Sequence, residues 1–182
     1  MVDFTTQRTP ETPDEIWLCE HQPVFTLGRN GDPASRISTS EIPLVETDRG
    51  GQITYHGPGQ LMVYFLIDLR RKNQGAAEFV AAIEAQVIRL LKAWDIPAHL
   101  RPGMPGVYVN QAKICSIGLR IRNARSYHGL ALNVDMDLRP FQEIYPCGYR
   151  DLQMTQVREF VNMPNLMDKI TAQWLKDLHA HF

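Results

Sequence analysis

Between residues 75 and 97 the apolar side chains fall at Phe79, Ile83, Val87, Leu90, Leu91 and Trp94, the three-and-four spacing of one helix face. That spacing predicts a helix between Gly75 and Pro97, laid on a sheet. Leu166, Ile170, Trp174 and Leu178 repeat the period after Pro164 and predict a terminal amphipathic helix. The block 61–69 lacks alternation, which predicts a strand covered on both faces. Residues 106–109 and 112–122, joined at Asn110-Gln111, read as a hairpin. In its second strand Cys115, Ile117, Leu119 and Ile121 share a face, and Lys113 is in phase with them, an ammonium at the end of an apolar row.

Residues 126–137 predict a further strand. His128, Leu130, Leu132, Val134 and Met136 are large there, while Gly129 and Ala131 leave the other face nearly bare. A bare face admits a close-packed helix, the commoner outcome, or a slim apolar ligand. Shorter strand-like runs at 16–19, 24–27 and 43–47, and a short helix and turn within 1–14, complete the pattern.

One stretch departs from it. Residues 49–60, RGGQITYHGPGQ, place four glycines, a proline and a histidine ahead of the apolar block. Glycine costs backbone entropy, so this density predicts a rigid rim whose amides are aimed at a phosphate, a carboxylate or a reacting acyl oxygen. The bland reading is two tight turns joined by a short strand. Arg49 directly ahead, and Thr54 in phase with His56, favour the rim.

Composition narrows the class. The 182 residues suffice for one domain with a proper core, residues 1–182, and the 44% apolar and 21% charged content is that of a soluble globular chain. A net charge of −1 argues against a nucleic-acid binder, because no basic excess exists to displace counterions. Arg70-Arg71-Lys72 and Arg120, Arg122 and Arg125 are local basic clusters, read as solvated faces or as a greeting for an acidic protein partner. No run is long and apolar enough to span a bilayer, and three unspaced cysteines indicate neither a disulfide framework nor a zinc site. The expectation is a cytoplasmic protein without a metal or other cofactor.

A buried, inert role is the default for a cysteine. Cys19 and Cys115 lie in apolar strands and keep it; Cys147, between Pro146 and Gly148, lies off any regular element and is the candidate nucleophile. Such a thiol needs a base or a nearby cation, and His56, His128 and Lys113 are the candidates. His128 reads as structural, His56 as either, and Lys113 is the unusual one, since lysine seldom ends an apolar row without a partner.

These residues resemble a known family. Residues 49–60, the lysine motif 113–118 (KICSIG), 126–133 (SYHGLALN) and 146–148 (PCG) resemble, in order, the motifs of the lipoyl(octanoyl) transferases, over about 15–156. The resemblance implies an α+β fold like that of the biotin and lipoate protein ligases, a mixed, largely antiparallel sheet with packed helices. It implies that Cys147 takes octanoyl, or lipoyl, from acyl carrier protein as a thioester and passes it to a lysine of lipoyl domains, in 2-oxoacid dehydrogenase complexes and the glycine cleavage H protein. Lys113 would lower the thiol's pKa and shuttle protons. Arg49, Gly50, Gly51, Gln52, Ile53, Thr54, Tyr55 and His56, with Ser116, Ile117, Gly118, Gly129, Leu130 and Ala131, would line the acyl site. The family carries a further strand ahead of the segment matching 14–17, which this chain is expected to lack. The competing readings are an ATP-dependent lipoate or biotin ligase and a catalytically silent acyl or carrier-protein binding module.

Overall fold

In a computed structural model, which describes residues 1–178, the chain builds two sheets. The larger is antiparallel, in the order β1 (Glu15–Cys19), β5 (Gln60–Leu66), β9 (Arg125–Asn133), β8 (Ala112–Arg122), β7 (Met104–Val109) and β6 (Ala98–Arg101). The smaller holds β2 (Val24–Leu27) between β3 (Leu44–Glu46), parallel to it, and β4 (Ile53–His56), antiparallel to it. Helix α1 (Val2–Gln7) precedes them, α2 (Ala76–Lys92) packs across β6, β7 and β8, and α3 (Leu166–Leu178) packs on α2.

The periodic segments behave as their spacing requires. Phe79, Ile83, Val87, Leu90 and Leu91 of α2 are fully buried against Val107, Val109, Leu130 and Leu132 of the sheet. Each such side chain contributes about 1.5–3 kcal/mol on leaving water. Leu166, Ile170 and Trp174 extend this core from α3. The strand read at 61–69 is β5, buried along nearly its whole length as non-alternation demands; it stops at Leu66, and Leu69 turns into a short 3-10 segment.

One expectation is corrected. Lys113 is not in phase with the Cys115 row. Tyr108 pairs with Lys113 but Val107 pairs with Cys115, so Ile114 is an extra, unopposed residue, a β-bulge. Cross-strand partners share a face and neighbours along a strand alternate, so Cys115 faces α2 with Val107 while Lys113 faces the other way with Tyr108. Of the two outcomes open to the bare face of β9, the ligand site is the one the structure offers: α2 and α3 take the side of Leu130 and Leu132, α1 touches β9, and Gly129 and Ala131 line a cavity. The runs read at 24–27 and 43–47 are β2 and β3; β6, and the grouping of β2, β3 and β4 into a second sheet, were absent from the sequence pattern.

A second apolar cluster, with Phe25, Ile53, Tyr55, Phe141 and Ile144, lies behind the small sheet. Between the two sheets is a cavity of about 330 Å³. Among the described residues no helix is long and apolar enough to cross a membrane.

Candidate active site

The turn Pro146–Gly148 carries Cys147 at φ 56 and ψ 19, the left-handed region that costs a non-glycine residue about 1–3 kcal/mol. The turn is closed by Gly148 N–H donating to Tyr145 O at 2.8 Å and Tyr149 N–H donating to Pro146 O at 3.1 Å. Gly148 follows at φ 79, and an added Cβ there would meet the Gln52 carboxamide, 2.2 Å from Oε1 and 2.7 Å from Nε2. Glycine is thus required twice over, by its backbone and by the side chain packed on it.

The bulge at Ile114 aims Lys113 at this turn. Its Nζ lies 3.1 Å from Cys147 Sγ and donates to Pro105 O at 2.9 Å. Lys113 is 2% exposed and has no carboxylate partner among the described residues. Burial would drive its pKa down; attraction to Cys147 and Tyr108 outweighs that and raises it. A buried ammonium 3.1 Å from a sulfur is placed to stabilise negative charge that forms there during reaction. Gly106, at φ 115, makes this possible: a Cβ there would stand 3.3 Å from Lys113 Cε and 3.5 Å from Nζ.

The cavity beside the turn is lined by residues 49–54 and 56, 116–118, 129–131 and Cys147. All the sequence-derived acyl-site residues are therefore in its wall save one. Tyr55 is turned by strand alternation into the second core, between Phe25 and Phe141, which corrects its placement at the acyl site. Lys113 reaches Cys147 from behind and does not line the cavity.

His56 is buried and bonded, Nδ1 to Gln60 Oε1 at 2.8 Å and Nε2 to Thr26 Oγ1 at 3.1 Å. Burial, with Arg49 and His21 nearby, pushes its pKa down to about 3 against the pull of Gln60, so the ring is neutral. His128, expected in phase with Leu130, adopts φ 59 and lines the cavity, its Nε2 2.7 Å from Asp48 Oδ1; Tyr127 OH donates to the other oxygen of that carboxylate. This clamp fixes the segment leading into Arg49. Burial lowers the His128 pKa, opposed by Asp48. Cys115 is fully buried, which pushes its thiol far up, and burial followed by Glu20 raises Cys19; neither is a ready nucleophile.

The motif reading missed Thr26, His21, Met62 and Tyr64, which also line the cavity, and the supporting Gln60 and Asn133. Gln60 and Asn133 end two of the quoted motifs and were legible as buried amides in apolar strands. Thr26 carried no signal beyond its strand.

Comparison with known proteins fits this fold and site. Similar solved structures include a putative lipoate protein ligase from T. acidophilum (TM-score 0.75, 14% identity, 97% of this chain and 75% of that one). A biotin protein ligase from Aquifex aeolicus is more distant (TM-score 0.53, 15% identity, 85% and 67%). The fold is thus that of the lipoate and biotin protein ligases. The family model "Lipoyl protein ligase A/B catalytic domain" matches residues 2–179, and the chain belongs to that family. Its relatives include an octanoyltransferase of Vibrio campbellii, 54% identical over 178 residues, covering 98% of this chain and 80% of the relative. Another, from Hahella chejuensis, is 58% identical over 161 residues, covering 88% and 72%.

Proposed function

We propose that this chain, as one catalytic domain, is an octanoyltransferase: it takes octanoyl from acyl carrier protein onto Cys147 and delivers it to a lysine of lipoyl domains. The observation that carries the reading is the 3.1 Å approach of Lys113 Nζ to Cys147 Sγ beside an apolar cavity. The Cys147 thiolate attacks the donor thioester carbonyl, and the carbonyl oxygen takes the negative charge. Collapse breaks the donor C–S bond, and Lys113 protonates the departing thiolate. The lysine amine of the acceptor then attacks the Cys147 thioester, its proton passes to the now neutral Lys113, and the amide leaves Cys147 as thiolate.

Exchange of one thioester for another is nearly even in free energy, and amide formation from a thioester is downhill. Neither half requires a nucleotide. Gly50 N–H is spent on Leu119 O at 3.0 Å and does not serve an oxyanion; any other rim amide aimed at the reacting oxygen would be worth about 3 kcal/mol of barrier. Intact-mass measurement after incubation with octanoyl-carrier protein tests the reading. One octanoyl adduct is expected, lost in Cys147→Ala and kept in Cys115→Ala; an adduct that persists without Cys147 overturns it.

A further inference from the structure

Arg49 is a largely but not fully buried cation with no acidic partner among the described residues. Its guanidinium sits in the cavity wall and forms no salt bridge among the described residues. Burying a charge in this way costs several kcal/mol unless something else compensates it. Its bonds account for four of its five N–H groups. Nε donates to Thr26 Oγ1 at 3.2 Å, Nη2 to Thr26 O at 2.7 Å and Thr26 Oγ1 at 2.8 Å, and Nη1 to Gly50 O at 2.9 Å. One Nη1 hydrogen is left over, in space kept open by glycine: Cβ atoms on Gly28, Gly51 and Gly118 would lie 2.7, 3.5 and 3.8 Å from Nη1.

The bonds that hold Arg49 have only one possible direction. Arginine can only donate, so the Thr26 hydroxyl accepts twice, which fills both its lone pairs. Its single hydrogen must go to His56 Nε2 at 3.1 Å. His56 therefore carries its proton on Nδ1 and donates to Gln60 Oε1 at 2.8 Å. Gln60 Nε2 donates to Asn133 Oδ1 at 2.8 Å, and Asn133 Nδ2 to Thr155 O at 2.9 Å. Thr155 N–H donates in turn to Lys113 O at 3.0 Å. One polarised path thus runs from the Arg49 guanidinium to the Thr155 carbonyl, on a residue whose N–H holds the Lys113 backbone.

A proton on His56 Nε2 would face a hydroxyl with no lone pair left, so the path exists only with neutral imidazole and leaves His56 no nitrogen free to act as a base. We propose that His56 is a positioning residue acting through Thr26, and that Arg49, which it holds, is a second cation serving the negative charge of the Cys147 thiolate. The inference rests on Cys147 being the nucleophile proposed above. The groups around the path are His21, whose ring centroid is 6.0 Å from that of His56, with Tyr64 bonded to His21; at the thiol Lys113 is in contact, with Tyr108 beside Lys113, and Arg49 shares the cavity wall with Cys147. Electrostatic attraction between Arg49 and Cys147 agrees: burial lowers the Arg49 pKa to about 10, and Cys147 is the first of the groups that oppose the fall.

Alkylation of Cys147 by iodoacetamide, in which the thiolate displaces iodide, reads the thiolate without the acyl reaction. In the Cys19→Ala, Cys115→Ala background, Thr26→Val is expected to slow alkylation at pH 7 by about fivefold and to move the rate-against-pH curve upward. Thr26→Ser, which keeps the oxygen, is expected to restore both. A Thr26→Val curve superimposable on that of the parent overturns the inference. Nitrogen NMR of the full chain provides an independent reading even if Thr26→Val fails to fold. The His56 ring is expected as the Nδ1–H tautomer and neutral from pH 5 to 8; the Nε2–H tautomer, or titration near 6.5, overturns it. If the alkylation shift appears but no octanoyl adduct forms on the wild type, the positioning role stands and the proposed acyl transfer fails.

Discussion

Gly106 and Lys113 are in contact in a way that leaves no room for a side chain between them: a Cβ on Gly106 would sit 3.3 Å from Lys113 Cε and 2.5 Å from Cys115 O. The backbone at Gly106, φ 115, disfavours any other residue as well. Gly106→Ala is therefore expected to lower stability by about 1–3 kcal/mol and to push the amine off Cys147. Acylation about tenfold slower than wild type, in protein still folded by circular dichroism, is the expected reading. An unchanged acylation rate would show that the approach of Lys113 to the thiol does not depend on this glycine.

Lys113→Met tests the ammonium itself. Methionine keeps the unbranched bulk and removes the buried charge, so the fold is expected to hold and stability to be unchanged or higher. Alkylation of Cys147 at pH 7 is expected to fall about tenfold or more, because the charge that favours the thiolate is gone. Equal alkylation rates in the two forms would remove Lys113 from the account.

Gly148→Ala probes the other side of the nucleophile. The added methyl meets the Gln52 carboxamide and a left-handed backbone, so Gln52 or the turn must shift. Slower acylation and a stability loss of about 1–3 kcal/mol are expected, the cost of a side chain in that backbone region. Activity equal to wild type would mean that Gln52 yields without moving the thiol.

The buried His56 predicts an acid sensitivity of known sign. In the unfolded chain it binds a proton below about 6.5, while in the folded chain it does not until about 3. Between these values the unfolded state binds more protons, so stability falls as pH drops through that window, by up to about 1.4 kcal/mol per pH unit. Urea unfolding at pH 7 and pH 5 is expected to show this loss in the wild type and a smaller one in His56→Gln. Parallel losses in both would place the sensitivity elsewhere.

The parts of the molecule legible in the sequence are those set by local periodicity or by residue type. The spacing of Phe79, Ile83 and Val87 specifies α2 because a helix can bury that stripe in one way only. The non-alternating run at β5 specified burial on both faces for a similar reason. What escaped depends on single-residue offsets. The extra residue at Ile114 reverses the face of Lys113, and no period reveals one inserted residue. Tyr55 was grouped with its neighbours because the motif is contiguous, whereas a strand sends adjacent side chains to opposite faces. Thr26 escaped because its role depends on Arg49 and His56 arriving from a loop and another strand, a long-range fact with no local trace.

A single-turnover transfer tests the central claim most directly. Chain loaded with octanoyl and separated from donor is mixed with a lipoyl domain, without ATP, and both masses are followed. The account predicts that the octanoyl mass leaves Cys147 and appears on one lysine of the domain at equal rates. Octanoyl that stays on the chain, or that reaches the domain only when ATP is supplied, would contradict it.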